Sequence, residues 1–428
     1  MSWNRPRIAA AIALGAAIAV AVTIITLNFL QPEKRIQQHI VHRYAIEDQQ
    51  FRRELGLLLG PPLVDGNAAL NLENGDEIFP SMLAAIREAQ QSITFESYIY
   101  WSGNVGREFA EALAARASAG VNVHVLMDWV GSQKMDEQLL DMMRDAGVQV
   151  ERYHPLRWYH LTRMNNRTHR KLLVVDGKVG FTGGVGIADL WSGHAQDPNH
   201  WRDSHYRVQG PVVAQMQTAF SDNWIKATGE VLQGERYFPT LSKSGQALAQ
   251  VFMSSPSGGA DSMMLMYLMA ISSSTKRIDL AAAYFVPDSL TRRVMLDALK
   301  RGVEIRIIVP GEHIDTEVVR KASRAKWGEL LANGAKMYEY APTMFHCKTL
   351  IVDGLLVSVG STNFDNRSFR LNDEANLNIY DAAFADKVTQ VFEADLKRAK
   401  LVTYQMWVDR PMHEKIMENA LAVFSSQL

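Results

Sequence analysis

A pattern of a histidine, a lysine two positions later and an aspartate five positions beyond the lysine occurs twice in this chain. The two copies are His169, Lys171 and Asp176, and His346, Lys348 and Asp353. Imidazoles can attack phosphorus or transfer protons near neutral pH, and ammonium groups neutralise phosphate oxygens as charge develops. The repeat therefore indicates a phosphate site in which two histidines and two lysines converge, and it favours phosphodiester chemistry.

The parity of these residues predicts which of them share a face. Alternate side chains of a β-strand point to the same side, so the histidine and lysine of each copy should point together and the middle residue away. Cys347 is the middle residue of the second copy and the one cysteine in the sequence. We therefore predict that Cys347 is a core residue rather than a nucleophile.

Asp176 and Asp353 have the opposite parity to the histidine and lysine of their copies. Each is followed by glycine, Gly177 or Gly354, and lies between two apolar runs. That pattern is a strong signal for a β-hairpin turn. We predict that both aspartates form turns that hold the motif in place.

The paired motif resembles the phospholipase D superfamily, in which two HKD motifs meet in one phosphodiester-cleaving site. The second half is similar to bacterial cardiolipin synthases over residues 283–288, 301–311 and 360–372, and the first half over residues 181–184 and 200–203. The resemblance extends from about Leu72 to the C-terminus.

The resemblance implies which residues form the active site. By the family's convention the catalytic residues are those of the two motifs: His169, Lys171, Asp176, His346, Lys348 and Asp353. Asp203 and Glu374 match acidic positions that hydrogen-bond the far nitrogen of each catalytic imidazole. Such a bond fixes the tautomer of the ring and raises its basicity.

Ser361 and Asn363 match a family element whose hydroxyl and amide hydrogen-bond the phosphate. The first copy departs from this element, with Gly184 in place of the serine and Gly186 in place of the asparagine. The first half is therefore expected to offer fewer neutral donors to a phosphate.

The activity that the resemblance implies is a phosphatidyl transfer that joins two phosphatidylglycerols into cardiolipin and releases glycerol. His169 is assigned as the nucleophile, which forms a phosphatidyl-histidine, and His346 as general acid and then base. No metal and no cofactor is implied. A phospholipase D-type hydrolase would use the same residues and admit water, and a phosphodiesterase acting on nucleic acid is a less favoured alternative. A non-catalytic membrane scaffold would leave two intact histidine–lysine pairs unexplained.

The composition limits the class of protein and its partners. A hydrophobic content of 47% in 428 residues can form one large core or two ordinary domains. The net charge of -1 provides no overall basic field, so nucleic acid is not expected as a partner. The resemblance implies phospholipid substrates, phosphatidylglycerol above all. The 12 histidines lack HExxH-type zinc spacing, and the oligomeric state is not encoded in any visible pattern.

The N-terminus predicts a membrane anchor. Residues 8–30 carry no charge, and at about 1.5 Å per residue they would extend roughly 35 Å, enough to cross a hydrocarbon core of about 30 Å. The alternative is a secretory signal cleaved near Ala21, which would leave an apolar new terminus. We expect a single-pass anchor in the bacterial inner membrane, with the catalytic part on the outer, periplasmic face.

Beyond residue 70 the sequence predicts two tandem phospholipase D-like α/β halves packed around one shared active site. In each half a strand, a helix, a glycine and a second strand precede the motif, over residues 93–127 and 278–309. This alternation predicts parallel, helix-covered sheets. The predicted division is an anchor at 1–30, a linker or helical segment at 31–70, and domains at 71–250 and 251–428.

Two segments interrupt this repeat. Residues 254–259, rich in serine and glycine, are predicted to join the halves. Residues 156–164 are an insertion specific to the first half and combine basic with large aromatic side chains. We expect this insertion to form a lipid-facing entrance, the alternative being a surface loop whose aromatics pack on the fold.

Overall fold

A computed structural model describes the chain over most of its length. The described residues are 5–29, 36, 40–155, 166–256 and 262–422. The predicted insertion at residues 156–164 lies outside them, as does part of the predicted joint, residues 257–259.

Helix α1, Arg5–Phe29, contains residues 8–29 of the apolar N-terminal segment. The last residue of that segment, Leu30, lies outside the described residues. Several apolar side chains of α1 are exposed, Ile12 and Leu14 among them. Within the described residues, no helix was found that is both long enough and apolar enough to cross a membrane.

The elements of the first half follow the predicted order. Its strands are β1 (Val64–Glu73), β2 (Ser92–Ser97), β3 (Asn122–Asp128), β4 (Gln149–Tyr153), β5 (Arg167–Thr168), β6 (Leu172–Val175), β7 (Val179–Gly183) and β8 (Ser204–Gln209). Its helices are α2 (Gln49–Leu59), α3 (Asn74–Glu88), α4 (Asn104–Ser118), α5 (Glu137–Asp145) and α6 (Val213–Thr228), with a 3₁₀ turn at Asp189–Trp191.

The second half repeats that order. Its strands are β9 (Ala247–Ser254), β10 (Arg277–Ala282), β11 (Phe285–Val286), β12 (Glu304–Pro310), β13 (Lys336–Tyr340), β14 (Lys348–Val352), β15 (Leu356–Gly360), β16 (Phe364–Asp365), β17 (Asn372–Tyr380) and β18 (Ala399–Val402). Its helices are α7 (Ser262–Ser272), α8 (Ser289–Lys300), α9 (Glu317–Arg324), α10 (Gly328–Ala332), α11 (Asn366–Arg370), α12 (Ala382–Leu396), α13 (Tyr404–Val408) and α14 (Met412–Ala422).

One sheet runs through both halves. Outwards from its centre the first half has the order β1-β8-β7-β6-β2-β3-β4, and the second half has β9-β17-β15-β14-β10-β12-β13-β18. Strands β1 and β9 are paired with each other, so the two halves are related by a pseudo-twofold axis between them. The motif strands β6 and β14 occupy equivalent places in the two orders.

The sheet is mixed, which corrects the prediction of parallel sheets. Strands β2, β3 and β4 are parallel, as are β10, β12 and β13, because a helix crosses between consecutive members. The strands that follow each motif are antiparallel to their neighbours. The short Asp-Gly turns impose this direction on the pairs β6–β7 and β14–β15, since a tight turn can join only antiparallel strands.

Helices cover both faces of the sheet, as predicted. In the first half α3, α4 and α5 enclose one apolar core, and in the second half α7, α8 and α10 enclose another. Helices α6 and α12 lie over the opposite face, and the core beneath them is continuous across both halves. Helix α2 precedes β1 in the chain but packs through Phe51 and Leu55 into the core of the second half.

The structural repeat begins earlier than the predicted domain bounds. The first half starts with β1 at Val64, ahead of residue 71. The division between residues 250 and 251 falls inside β9, which pairs with β17 along its length. Strand β9 therefore belongs to the second half, and the serine- and glycine-rich residues follow it rather than precede it.

Candidate active site

Each motif lies against a strand of the other half. Strand β5, which leads into the first motif, pairs in parallel with β17, with Arg167 opposite Asn372. The backbone N–H of His169 donates to the carbonyl of Asp373 over 2.9 Å, and the backbone N–H of His346 donates to the carbonyl of Arg202 over 2.8 Å. These reciprocal contacts bring both motifs to the pseudo-twofold axis.

The carboxylates of Glu374 and Asp203 hold the two imidazoles, as predicted. Nδ1 of His169 lies 3.0 Å from both carboxylate oxygens of Glu374, and Nδ1 of His346 lies 2.7 Å from Asp203 Oδ2. Since an ionised carboxylate can only accept, each Nδ1 carries the hydrogen. Each Nε2 therefore presents a lone pair for nucleophilic or proton-transfer chemistry.

Burial favours the neutral form of both imidazoles. It lowers the pKa of His169 to about 4, even though the Glu374 carboxylate acts in the opposite direction. Burial and the charge of Lys348 lower the pKa of His346 as well. Burial alone would raise the pKa of Glu374, but the His169 imidazole and the Lys171 charge hold it below its usual value. A neutral imidazole oriented by a carboxylate is the state that a nucleophile needs.

The two motif lysines are buried beside the histidines. Nζ of Lys171 donates to the His169 carbonyl over 2.9 Å, and Nζ of Lys348 donates to the His346 carbonyl over 2.7 Å. Burial, together with the charge of Lys348, lowers the pKa of Lys171 to about 7. Two ammonium groups crowded into a buried site are stabilised by a bound anion, and a phosphate supplies that charge.

A cleft of about 560 Å³ opens over the histidines. One wall comes from the first half and is largely apolar: Ile99, Trp101, Leu190, Trp191 and Trp201. The other wall, from the second half, is mostly polar and includes Asn363, Asp365, Arg367 and Asn372. The Trp191 and Trp201 rings each lie 5.4 Å from the His346 ring, between centroids. The cleft is therefore asymmetric although its catalytic groups are duplicated.

A family model described as "Cardiolipin synthase, PLD-like domain" matches residues 82–224 and 267–396. This chain belongs to that family. Its relatives include a cardiolipin synthase of Geobacillus kaustophilus (strain HTA426), 34% identical over 360 residues that cover 83% of this chain and 72% of that protein. Cardiolipin synthase A of Pseudomonas entomophila (strain L48) is 34% identical over 343 residues, 80% of this chain and 71% of that protein.

Solved structures of other proteins share the fold. A phosphatidylserine synthase from Haemophilus influenzae Rd KW20 superposes with a TM-score of 0.69, at 14% identity, over 89% of this chain and 100% of that chain. A polyphosphate kinase from Porphyromonas gingivalis gives a TM-score of 0.55 at 10% identity, over 92% of this chain and 57% of that chain. At such low identity the likeness concerns the fold.

The aspartates of the two HKD motifs are not in the cleft of this family member. The Asp176 carboxylate accepts from the backbone N–H groups of residues 90, 91 and 92, and that of Asp353 accepts from residues 275, 276 and 277. Both aspartates have φ of 53°, and Gly177 and Gly354 also have positive φ. The prediction of hairpin turns is therefore confirmed, and a catalytic role for these two aspartates stays a prediction that their position outside the cleft does not support.

Ser361 supports a catalytic group instead of facing the cleft. Its Oγ donates to Glu374 Oε2 over 2.5 Å and accepts from the Ala375 N–H over 3.0 Å. Because a hydroxyl has one proton and Glu374 accepts it here, the expected hydrogen bond from Ser361 to the phosphate stays a prediction. Asn363 lines the cleft, and its buried Oδ1 has no hydrogen-bond partner among the described residues, so its predicted role in phosphate binding stays a prediction.

Trp191 explains why the first copy departs from the family element. A Cβ at Gly184 would lie 2.2 Å from Asp203 Oδ1, so a serine there would displace the carboxylate. The indole Nε1 of Trp191 donates to Asp203 Oδ2 over 3.0 Å, which replaces the missing hydroxyl. A Cβ at Gly186 would lie 3.1 Å from the same indole ring. The sequence indicated only that the first copy lacks the serine hydroxyl as a donor, and it did not identify Trp191 as the replacement.

The middle residues of the motifs point away from the cleft, as predicted. Cys347 is 3% exposed, and burial raises the pKa of its thiol, so it is a core residue. Arg170 is fully buried and donates to Asp222 and to the carbonyls of Glu374 and Ser254. Within the described residues, no group of three or more histidine, cysteine or acidic side chains is arranged to hold a metal.

Proposed function

We propose that this protein is a phosphatidyltransferase that joins two phosphatidylglycerols into cardiolipin and releases glycerol. The observation that carries the proposal is the pairing of two neutral imidazoles with carboxylates from the opposite half, next to two buried lysines. Membership of the cardiolipin synthase family supports the choice of substrate.

The proposed first step places the phosphate of one lipid between the histidines. Its negative charge raises the pKa of the adjacent imidazoles and lysines, so His346 can enter the step protonated. Nε2 of His169 attacks phosphorus, the phosphorus–oxygen bond to the headgroup glycerol breaks, and His346 gives its proton to the departing oxygen. The product of this step is a phosphatidyl group bonded to His169.

The second step reverses these roles. A hydroxyl of a second phosphatidylglycerol gives its proton to His346 while its oxygen attacks phosphorus. The phosphorus–nitrogen bond breaks, cardiolipin forms and neutral His169 is regenerated. Glu374 and Asp203 stabilise the imidazolium that each histidine becomes in turn.

Transfer requires that the lipid hydroxyl outcompete water. Effective molarities of well-oriented groups reach about 10⁵ M or more, far above bulk water at about 55 M. The apolar wall formed by Trp101, Trp191 and Trp201 limits the water near the intermediate. This wall favours a transferase over a phospholipase D-type hydrolase, which uses the same catalytic groups.

The proposed location is the bacterial cell membrane. The uncharged residues 8–30 would act as a single-pass anchor, with the catalytic halves on the periplasmic face. A membrane-bound site would meet its two lipid substrates by diffusion in the plane of the bilayer. Phospholipids are the proposed partners, and a net charge of -1 gives no support for nucleic acid.

Product analysis tests this proposal. The purified full-length chain is incubated with phosphatidylglycerol vesicles, with and without EDTA, and the lipids are identified by mass spectrometry. We expect cardiolipin and glycerol in equal amounts in both conditions and neither product from His169→Ala. His346→Ala should form no cardiolipin and release at most one glycerol per protein molecule. Phosphatidic acid without cardiolipin would identify a hydrolase, and cleavage of DNA with no action on lipid would contradict the proposal.

A further inference from the structure

Two residues of the second half form a hydrogen-bonded pair in the cleft. The hydroxyl of Tyr284 donates to Asp315 Oδ2 over 2.5 Å, and both side chains line the cleft together with His346. Within the described residues, no second hydrogen bond reaches the Asp315 carboxylate, and no cation lies within ion-pair distance of it. The other oxygen of that carboxylate, Oδ1, is therefore an acceptor that a substrate can use.

The pair lies on the His346 side of the site. The backbone N–H of Ala283 donates to the Cys347 carbonyl over 3.0 Å, which continues the antiparallel register of β10 and β14. This register places Tyr284 beside His346. Burial lowers the pKa of His346, and the Asp315 charge acts in the opposite direction, as a nearby carboxylate should.

The equivalent position beside His169 is occupied by an isoleucine. In the first half β2 is antiparallel to β6, with Glu96 opposite Leu172. Continuing that register places Ile99 beside His169, and Ile99 also lines the cleft. The two sides of the site therefore differ at this position, and the second half alone has a tyrosine joined to a carboxylate there.

The chemistry of the pair selects its ligand. Burial and the Asp315 charge raise the pKa of Tyr284 well above its usual value, so the phenol keeps its proton and holds the carboxylate in place. An ionised carboxylate can only accept hydrogen bonds. It repels phosphate oxygens and binds hydroxyl groups, so the part of a phospholipid that fits Asp315 is an alcohol of the headgroup.

The proposed reaction, on which this inference rests, brings the same arrangement of hydroxyls to His346 twice. In the first step, the carbon next to the one that bears the departing oxygen carries a hydroxyl. In the second step, the attacking oxygen comes from the other end of an identical glycerol headgroup and has the same neighbour. The hydroxyl on the middle carbon stays unesterified in phosphatidylglycerol, glycerol and cardiolipin. An acceptor beside His346 therefore has the same partner in both steps.

We infer that Asp315, held by Tyr284, accepts a hydrogen bond from the middle hydroxyl of the glycerol headgroup. Hydrogen bonds to an ionised acceptor are short and strong, so this bond orients the reacting oxygen towards His346 as it departs or attacks. Asp315 thus determines specificity: it selects an alcohol with a hydroxyl on the adjacent carbon over other alcohols and over water.

Two isomeric diols test this role. Phosphatidylglycerol vesicles are incubated with the full-length protein and equal concentrations of 1,2-propanediol and deuterium-labelled 1,3-propanediol. The two alcohols have the same atoms, but only the 1,2-isomer has its second hydroxyl next to a terminal one. Mass spectrometry separates the two phosphatidyl-propanediols by the label. Both arise from one phosphatidyl-histidine in one sample, so their ratio is independent of the first step and of the folded fraction.

The variants are Asp315→Asn and Tyr284→Phe. The wild type should favour the 1,2-isomer, and Asp315→Asn should lower the ratio of the 1,2- to the 1,3-product about fivefold or more, since hydrogen bonds to charged groups are about twice as strong as neutral ones. Tyr284→Phe keeps the carboxylate but releases it, and should lower the ratio less. Glu317→Gln is the matched control, because Glu317 carries the same charge two positions on, pairs with Arg320 and does not line the cleft. It should leave the ratio and the rate unchanged.

The outcomes separate this inference from the proposed function. A wild type that forms cardiolipin but has no preference for the 1,2-isomer, or does not transfer to it, would overturn the inference alone. An Asp315→Asn protein in which both diol products fall equally would also overturn it, since the carboxylate would then act in a shared step. A wild type that forms neither cardiolipin nor a phosphatidyl-propanediol would refute the proposed function and this inference together.

Discussion

Glu374 belongs to the second half of the protein, yet its carboxylate lies 3.0 Å from Nδ1 of His169 in the first. The relationship is reciprocal, since Asp203 of the first half lies 2.7 Å from Nδ1 of His346 in the second. The first half therefore supplies the histidine of one pair and the carboxylate of the other, and the second half supplies the two groups that complete them. Neither half can form a complete histidine–carboxylate pair by itself.

Exchanging either carboxylate for its amide should reduce turnover strongly. Glu374→Gln keeps the shape of the side chain, but the amide cannot stabilise an imidazolium and presents the wrong donor to Nδ1. We expect a fall in kcat of about 10²-fold or more, because such a change disrupts the tautomer of a catalytic histidine. The measurement is cardiolipin formation at saturating lipid, with circular dichroism to match the folded fraction. Asp203→Asn should behave alike, and near-native turnover of both would contradict the pairing.

Asp353→Asn should lower the stability of the protein and leave its turnover nearly unchanged. Asparagine tolerates a positive φ, so the turn should persist, but its NH₂ group faces the backbone N–H groups that the carboxylate now binds. We expect a loss of about 1–2 kcal/mol in the free energy of unfolding and a change in kcat of no more than a few fold. Denaturant titration and the lipid assay measure the two quantities. A larger loss of turnover than in Glu374→Gln would refute the structural role of Asp353.

Local patterns predicted the parts of the site that depend on neighbouring residues. The alternation of side chains placed each histidine with its lysine and turned Cys347 away, and the Asp-Gly pairs predicted the turns. These features depend on a few consecutive residues, so a single sequence contains the information. The family resemblance supplied Glu374 and Asp203, which spacing alone did not select.

Features that depend on contacts distant in the sequence were not predicted. The pairing of β5 with β17 joins residues about 200 positions apart, and no local pattern encodes it, so the exchange of carboxylates between halves was not foreseen. The same applies to Trp191, whose indole reaches Asp203 through the fold of the intervening loop. The same holds for β1 and β9, which span the predicted bounds at residues 71 and 251 and are completed only by pairing with each other and with β8 and β17.

The two histidines should differ in the intermediate that they accumulate. If His169 is the nucleophile, His346→Ala lacks the base for the second step and should retain a phosphatidyl group on His169. His169→Ala should form no adduct. Peptide mapping by mass spectrometry after a short incubation with phosphatidylglycerol locates the group. An adduct on His346 in the His169→Ala protein would reverse the assignment.

Removal of the N-terminal segment should release the protein from the membrane without unfolding it. The cores of the two halves are formed by later residues, beginning with those around α2. We expect a chain that begins at Gln31 to fold, to move from the membrane fraction to the soluble fraction, and to act on lipid in mixed micelles. Full-length protein serves as the control in each fraction. Cleavage of the full-length protein at Ala21, or failure of the shortened chain to fold, would contradict the anchor.

Lys171 should lower the stability of the folded protein while it serves catalysis. Its pKa falls from 10.5 to about 7 on folding, so the unfolded chain binds more protons between these values. The cost of the buried charge is therefore full below pH 7 and is lost as pH rises towards 10.5. Lys171→Met should raise the free energy of unfolding by about 1 kcal/mol or more at pH 6, and the difference from the wild type should shrink above pH 7. The same variant should lose about 10²-fold or more in turnover.

The exposed Lys178 offers a control, because Lys178→Met should change the stability by no more than about 0.5 kcal/mol at any pH. Denaturant titrations from pH 6 to 10 measure both variants, and a Lys171→Met protein that is less stable than the wild type at pH 6 would show that this lysine stabilises the folded protein.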